Sequence, residues 1–116
     1  ALKRLPYAVY EGYYRVFQHA SDLVGTLVRA SAQFVPGATI NVGGAEYVSV
    51  KQMHEEICKH VDVDPALVTF LPEEKHNVTC KRPDITLAKT LLGHNPSVLL
   101  ADGIPKTIDW MRAQYL

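Results

Sequence analysis

ATINVGGAEYVSVKQM, residues 38–53, decides how the rest of the chain is read. Ile40 and Val42 alternate with other residues, the period-2 mark of a strand. Gly43 and Gly44 follow, and a glycine pair turns where side chains would clash. Glu46, Tyr47 and Val48 lead on to Ser49. Ser49 and Gln52 have capping-box spacing: the serine hydroxyl accepts from an orphan amide, and the glutamine side chain reaches back. Val50, Met53, Ile57 and Val61 then recur as one helical stripe. The stretch predicts strand, glycine turn and capped helix ending near His60, with the other elements packed around it.

Upstream, Leu5 to Tyr10 reads as extended, because Pro6 biases its predecessor away from helix. Glu11-Gly12 is a turn, and Tyr13 to His19 is rich in β-formers and predicts a strand. Ser21 or Asp22 is the expected cap of a helix carrying Leu23, Val24, Leu27, Val28 and Ala30, with Phe34 near its end. Pro36-Gly37 stops that helix. Downstream, Asp62 to Pro65 is a turn and Leu67 to Leu71 a short strand. Glu73 to Lys81 is a polar loop of a length that often carries function. Asp84 is the expected cap of a helix from Ile85 to Leu92, closed by Gly93. After the turn at His94-Asn95-Pro96, Val98 to Leu100 is extended. Asp102 starts the last helix, with Ile104, Ile108, Met111 and Tyr115 as its stripe. These elements predict one domain over residues 1–116 of α+β class, a small mixed sheet with about four helices.

The totals narrow the function classes. The chain has 116 residues, 47% apolar and 21% charged, which suits a packed core and excludes a disordered chain. Its formal net charge is zero, so it lacks the basic footprint of nucleic-acid binders. No apolar run approaches the length that crosses a bilayer. No signal peptide is visible at Ala1, and Cys58 and Cys80 fall in no framework pattern, so a cytoplasmic location is expected.

Each motif has a plainer alternative. Tyr47 and Lys51 match Y-x-x-x-K, in which the lysine lowers the tyrosine pKa for proton transfer. That chemistry needs both residues one turn apart on one helix, and Ser49 as cap puts Tyr47 before the helix; a strand-end tyrosine and a solvated lysine are expected instead. His54 and Cys58 share a helix face, but two ligands fall short of the three or four a zinc site needs, so no metal is expected. Gly43-Gly44 lacks the G-x-G-x-x-G fingerprint, and neither a P-loop nor a G-x-S-x-G elbow is present. Arg15 sits in an apolar strand and Arg82 precedes Pro83-Asp84 at a helix start. Either guanidinium fork suits a phosphate, and either also suits a surface or salt-bridge role.

Taken in order, the motifs resemble a known family. The series is Pro6, Val9-Tyr10-Glu11-Gly12, Arg15-Val16-Phe17, Ser21-Asp22-Leu23-Val24, Ile40-Asn41-Val42-Gly43-Gly44 and Tyr47-Val48-Ser49-Val50. Lys81-Arg82-Pro83-Asp84-Ile85, Ala88-Lys89, Leu91-Leu92-Gly93, Pro96, Gly103, Thr107-Ile108 and Trp110 follow. The series resembles the C-terminal, substrate-binding half of the extended short-chain dehydrogenase/reductases, the NAD-dependent nucleotide-sugar epimerases, dehydratases and decarboxylases. The resemblance implies that the Rossmann half, with NAD and the catalytic tyrosine and lysine, lies outside this chain. It implies no cofactor and no catalytic residue within the chain, which alone is expected to be inactive. By the same resemblance Arg15 and Arg82 clamp the diphosphate of a nucleotide sugar, Asn41 adds a polar contact, and Val9 and Tyr10 line the base pocket. Two guanidinium forks on one diphosphate would fix its orientation through charge-assisted bonds. The chain departs from the family pattern at Val16, where an acidic residue often stands. It departs again at His19, at His94, where tryptophan is frequent, and in a shortened segment between Tyr10 and Arg15. The rival expectation is a non-catalytic interaction module. Without the Rossmann half, the helix near Asp22 and the segment at Ile40 would expose apolar surface, favouring a homo-oligomer or a companion Rossmann domain.

Overall fold

The computed structural model describes residues 1–33 and 36–116; Phe34, the expected end of the first helical stripe, lies outside the described residues. The strands are β1 (Tyr7–Tyr10), β2 (Tyr14–Phe17), β3 (Glu46–Ser49), β4 (Val68–Leu71) and β5 (Cys80–Lys81). The helices are α1 (Ala20–Ala32), α2 (Val50–Cys58), α3 (Thr86–Leu92) and α4 (Leu100–Tyr115), with a 3-10 turn at Pro65–Leu67. The α+β class with four helices is as expected, but the strands divide into two sheets. β1 pairs parallel with β4, Val9 opposite Phe70 and Tyr10 opposite Leu71. β2 lies between β3, antiparallel, and β5, parallel.

The capping box is present: the Gln52 amide donates to Ser49 Oγ at 3.0 Å, and the Ser49 amide to Gln52 Oε1 at 2.8 Å. The strand before it is displaced from the expected place. Ile40 to Val42 joins no ladder, and the sheet strand is Glu46–Ser49, directly before the helix. Gly43-Gly44 is no positive-φ turn either; the glycines with positive φ are Gly12, Gly37 and Gly93. The pair exists for close approach. A Cβ on Gly44 would lie 1.8 Å from the Phe17 carbonyl oxygen, and one on Gly43 3.0 Å from Pro83 Cγ.

Three helix starts also differ from expectation, and at α1 and α4 a partner distant in sequence is involved. The α1 cap is His19, whose Nδ1 accepts from the Ser21 amide at 3.3 Å. Asp22 cannot cap, because its carboxylate accepts from the Ser97 and Val98 amides at 3.0 and 2.9 Å. Helix α3 begins one residue late, at Thr86, with the Asp84 carboxylate accepting from the Thr86 amide at 2.9 Å. Helix α4 begins at Leu100 and not Asp102, because Glu46 of β3 supplies an acceptor for the Leu100 amide. Gly93 ends α3 in the left-handed conformation, φ 56°, as its position predicts.

Val61, Ile104 and Ile108 form a buried cluster, with Leu2, Met53, Ile57, Val63 and Leu100 packed against it. The α4 stripe is therefore buried only in its first half; Met111 and Tyr115 are exposed. Helix α1 departs further. Val24, Leu27 and Val28 are 58%, 56% and 64% exposed, and the residue that α1 buries is Thr26.

Thr26 is buried against His94, which is 1% exposed. The Gly43 carbonyl can only accept, so His94 Nε2 donates to it at 2.8 Å. The other ring nitrogen is hydrogen-bonded to the Thr26 hydroxyl at 2.8 Å. Arg29 closes the same junction, donating to the carbonyls of Leu92 and Gly93 at the end of α3. Replacing His94 by Ala would leave a cavity and two buried polar groups unpaired, an expected loss of about 3 kcal/mol. Thr26→Val, which removes only the hydroxyl, should lose about 1–2 kcal/mol. Urea denaturation midpoints of the two variants check both the size and the order.

Candidate functional site: a polar cleft beside the three-stranded sheet

A cleft of about 450 Å³ lies between the three-stranded sheet and α3. Val16 and Tyr47 face each other across the β2–β3 ladder, and directly paired residues point to the same side of a sheet. Both line the cleft, together with Arg82, Lys89 and Asn95. Arg82 follows β5 directly, and its guanidinium lies 5.4 Å from the centre of the Tyr47 ring. That is cation–π distance, so the aromatic face holds the cation without neutralising it. The Cys80 thiol beside Tyr47, together with burial, pushes the Tyr47 phenol above its ordinary pKa, and the charges of Arg82 and Arg15 oppose this.

The two carboxylates of the cleft are engaged. Asp84 Oδ1 accepts from the Thr86 hydroxyl at 2.6 Å and from the Thr86 amide at 2.9 Å. These bonds, the hydroxyl's first, hold the Asp84 carboxyl below the usual value. Glu46 accepts from the Leu100 amide. Among the described residues, neither Arg82 nor Lys89 forms an ion pair. Arg82 and Lys89 thus stand free of ion pairs in a lining that also holds the carboxylates of Asp84 and Glu46.

The other residues singled out in the sequence lie elsewhere. Arg15 pairs with Val48 and Lys81, so alternation points it to the face opposite Tyr47. Its Nη1 donates to the Tyr14 and Thr79 carbonyls, each at 2.8 Å, and its Nη2 to the Val78 carbonyl at 2.9 Å. The guanidinium lies 4.9 Å from the centre of the buried Tyr13 ring. Tyr10 approaches the same ring at 6.0 Å, next to the buried Val9. Arg15 and the Val9-Tyr10 pair are thus gathered around Tyr13, and Arg82 stands across the sheet from them. Asn41 is exposed and is not among the residues lining the cleft. Sequence reasoning missed Lys89 and Asn95 as members of the cleft. Lys89 carried a faint signal as a charge on the helix after Arg82; Asn95 carried none.

Tyr47 and Lys51 occupy different elements, and Lys51 pairs with Glu11 at 2.9 Å, so they make no proton-transfer dyad. His54 and Cys58 do meet, with Nε2 to Sγ at 3.4 Å, but burial, and after it the charge of Glu55, pushes the Cys58 thiol up. At Gly43 and Gly44 the space a Cβ would take is occupied by Pro83, Val16 and the Phe17 backbone, so this glycine pair forms no pyrophosphate cradle.

The resemblance to known proteins runs through both sequence and fold. No family model matches the chain. UDP-glucuronic acid decarboxylase 1 of Danio rerio is 34% identical over 96 residues, 83% of this chain and 22% of that protein. UDP-glucose 4-epimerase of Mycolicibacterium smegmatis is 33% identical over 98 residues, 84% of this chain and 31% of that protein. Among solved structures, UDP-glucuronic acid 4-epimerase from Bacillus cereus in complex with NAD superposes with a TM-score of 0.79 and 27% identity. That superposition covers 99% of this chain and 37% of the epimerase. The chain is a relative of the NAD-dependent extended short-chain dehydrogenase/reductases that act as epimerases, dehydratases and decarboxylases. More narrowly, it matches their C-terminal part and spans less than a third of the length of these two curated relatives.

The state of Asp84 gives a direct check on the cleft. Its depressed folded pKa contributes stability above the unfolded value of about 3.9, lost as pH falls through the folded pKa. A carboxyl titration followed by NMR should give Asp84 a midpoint below about 3.9, and Thr86→Ala should return it towards that value.

Proposed function

We propose that this chain is the nucleotide-sugar-binding part of an NAD-dependent epimerase, dehydratase or decarboxylase. The observation that carries the proposal is the cleft in which Arg82, held over Tyr47, forms no ion pair among the described residues. A guanidinium with its fork free is a bidentate partner for phosphate. In this reading Arg82 makes the first contact with the diphosphate. Arg15 and Asn41 are the further contacts the resemblance implies, and Val9 and Tyr10 those to the base. Arg15 reaches a phosphate only by exchanging its bonds to the Val78 and Thr79 carbonyls for phosphate ones. NAD would supply hydride transfer from the sugar and would be held outside this chain. What this chain contributes is the capture and orientation of the donor's diphosphate.

A second reading, an interaction module, is favoured by one observation. Val24, Leu27 and Val28 form an exposed apolar face on α1. Under that reading the chain pairs with a second copy or with a companion Rossmann domain. Light scattering separates the readings for the isolated chain: self-association at high concentration supports pairing with a second copy, and a clean monomer removes it.

Calorimetric titration with UDP-, dTDP- and GDP-sugars tests the main proposal. Saturable binding is expected, with Arg82→Ala weakening it about thirtyfold and Lys81→Ala leaving it unchanged. No heat of binding with millimolar ligand would overturn it.

A further inference from the structure

Arg82 alone does not match the charge of a diphosphate, which carries at least two negative charges near neutral pH. The obvious second cation, Arg15, is committed to three backbone carbonyls on the other face of the sheet. The cleft itself contains another. Lys89 lies in α3, lines the same cleft as Arg82, is exposed, and forms no ion pair among the described residues. Asp84 and Glu46 also line the cleft, and neither forms an ion pair with Lys89.

We propose that Lys89 is the second cation of the cleft and takes a diphosphate oxygen beside Arg82, an inference that rests on the nucleotide-sugar reading above. The placement is firm. Helix α3 is fixed at its C-terminal end by the bonds from Arg29 to the Leu92 and Gly93 carbonyls and by the buried His94 that follows. The Lys89 backbone is bonded in both directions, its amide to the Ile85 carbonyl at 3.0 Å and its carbonyl to the Gly93 amide at 3.1 Å. The flexible stem therefore extends into the cleft from a fixed point. The division of labour follows from the two side chains. The planar fork of Arg82 sets the orientation of a phosphate, and the ammonium of Lys89 adds a point charge with little directional demand.

The test compares UDP, inorganic pyrophosphate and uridine as probes on the intact chain. Lys89→Gln should weaken UDP and pyrophosphate to the same degree, about three- to fivefold at low salt. It should flatten the salt dependence of UDP binding and leave uridine unaffected. Lys89→Arg should keep most of the affinity, because charge and not shape is what Lys89 supplies. Lys106→Gln, on exposed α4 surface outside the cleft, is the control and should change nothing. If wild type binds UDP, Arg82→Ala loses it and Lys89→Gln binds with unchanged affinity and salt dependence, the Lys89 proposal fails and the nucleotide-sugar reading stands. If wild type binds neither UDP nor pyrophosphate, both fail.

Discussion

A single imidazole, closed off from water, holds the working parts of this molecule in register. His94 donates to the Gly43 carbonyl and is hydrogen-bonded to the Thr26 hydroxyl, so one ring joins α1, the segment before β3 and the end of α3. Leu27 and Ala30 of α1, Ile40 and Val42 of the segment and Leu92 of α3 gather beside it. Helix α1 buries a threonine at this junction, and the segment at Gly43 presents bare backbone. A buried polar network of this kind tolerates one arrangement, because any shift leaves a donor or acceptor unpaired in a low-dielectric interior. The consequence reaches the cleft. One wall is Gly44 to Tyr47, directly after the Gly43 carbonyl, and another is α3, directly before His94.

The local signals in the sequence were legible where the chain satisfies itself. Ser49 with Gln52, and Gly93 at the end of α3, are complete motifs over a few residues, and the structure contains both. The signals misled where a distant residue takes over a local role. Nothing near Asp102 reveals that Glu46 will accept from the Leu100 amide and start α4 earlier. Nothing near Asp22 reveals that its carboxylate belongs to Ser97 and Val98. Alternation at Ile40 and Val42 looked like a strand because those residues are apolar. The close approach of Gly44 to the Phe17 backbone is a tertiary fact that no period can express.

The candidate site was legible in the same partial way. Arg82 stood out because an arginine after a polar loop and before a helix is a plausible anion ligand, and it does line the cleft. Arg15 stood out because a charge in an apolar strand needs a reason. The structure supplies one: its fork carries the Val78 and Thr79 carbonyls and lies over Tyr13. The split of the strands into two sheets decides this. With β5 reduced to two residues beside β2, the preceding loop has no ladder of its own, and the side chain of Arg15 stands in for one.

That substitution ties the loop from Glu73 to Thr79 to the chemistry of one guanidinium. Tyr13 secures the near end by accepting from the Glu74 amide, and Arg15 secures the far end. An anion that draws Arg15 away leaves the far end to the bond from the Tyr14 amide to the Thr79 carbonyl, and by thermodynamic linkage whatever tightening of the loop strengthens the Arg15 bonds weakens the anion by the same factor. Sequence changes in a surface segment that never touches a ligand would then tune affinity through competition for a shared donor.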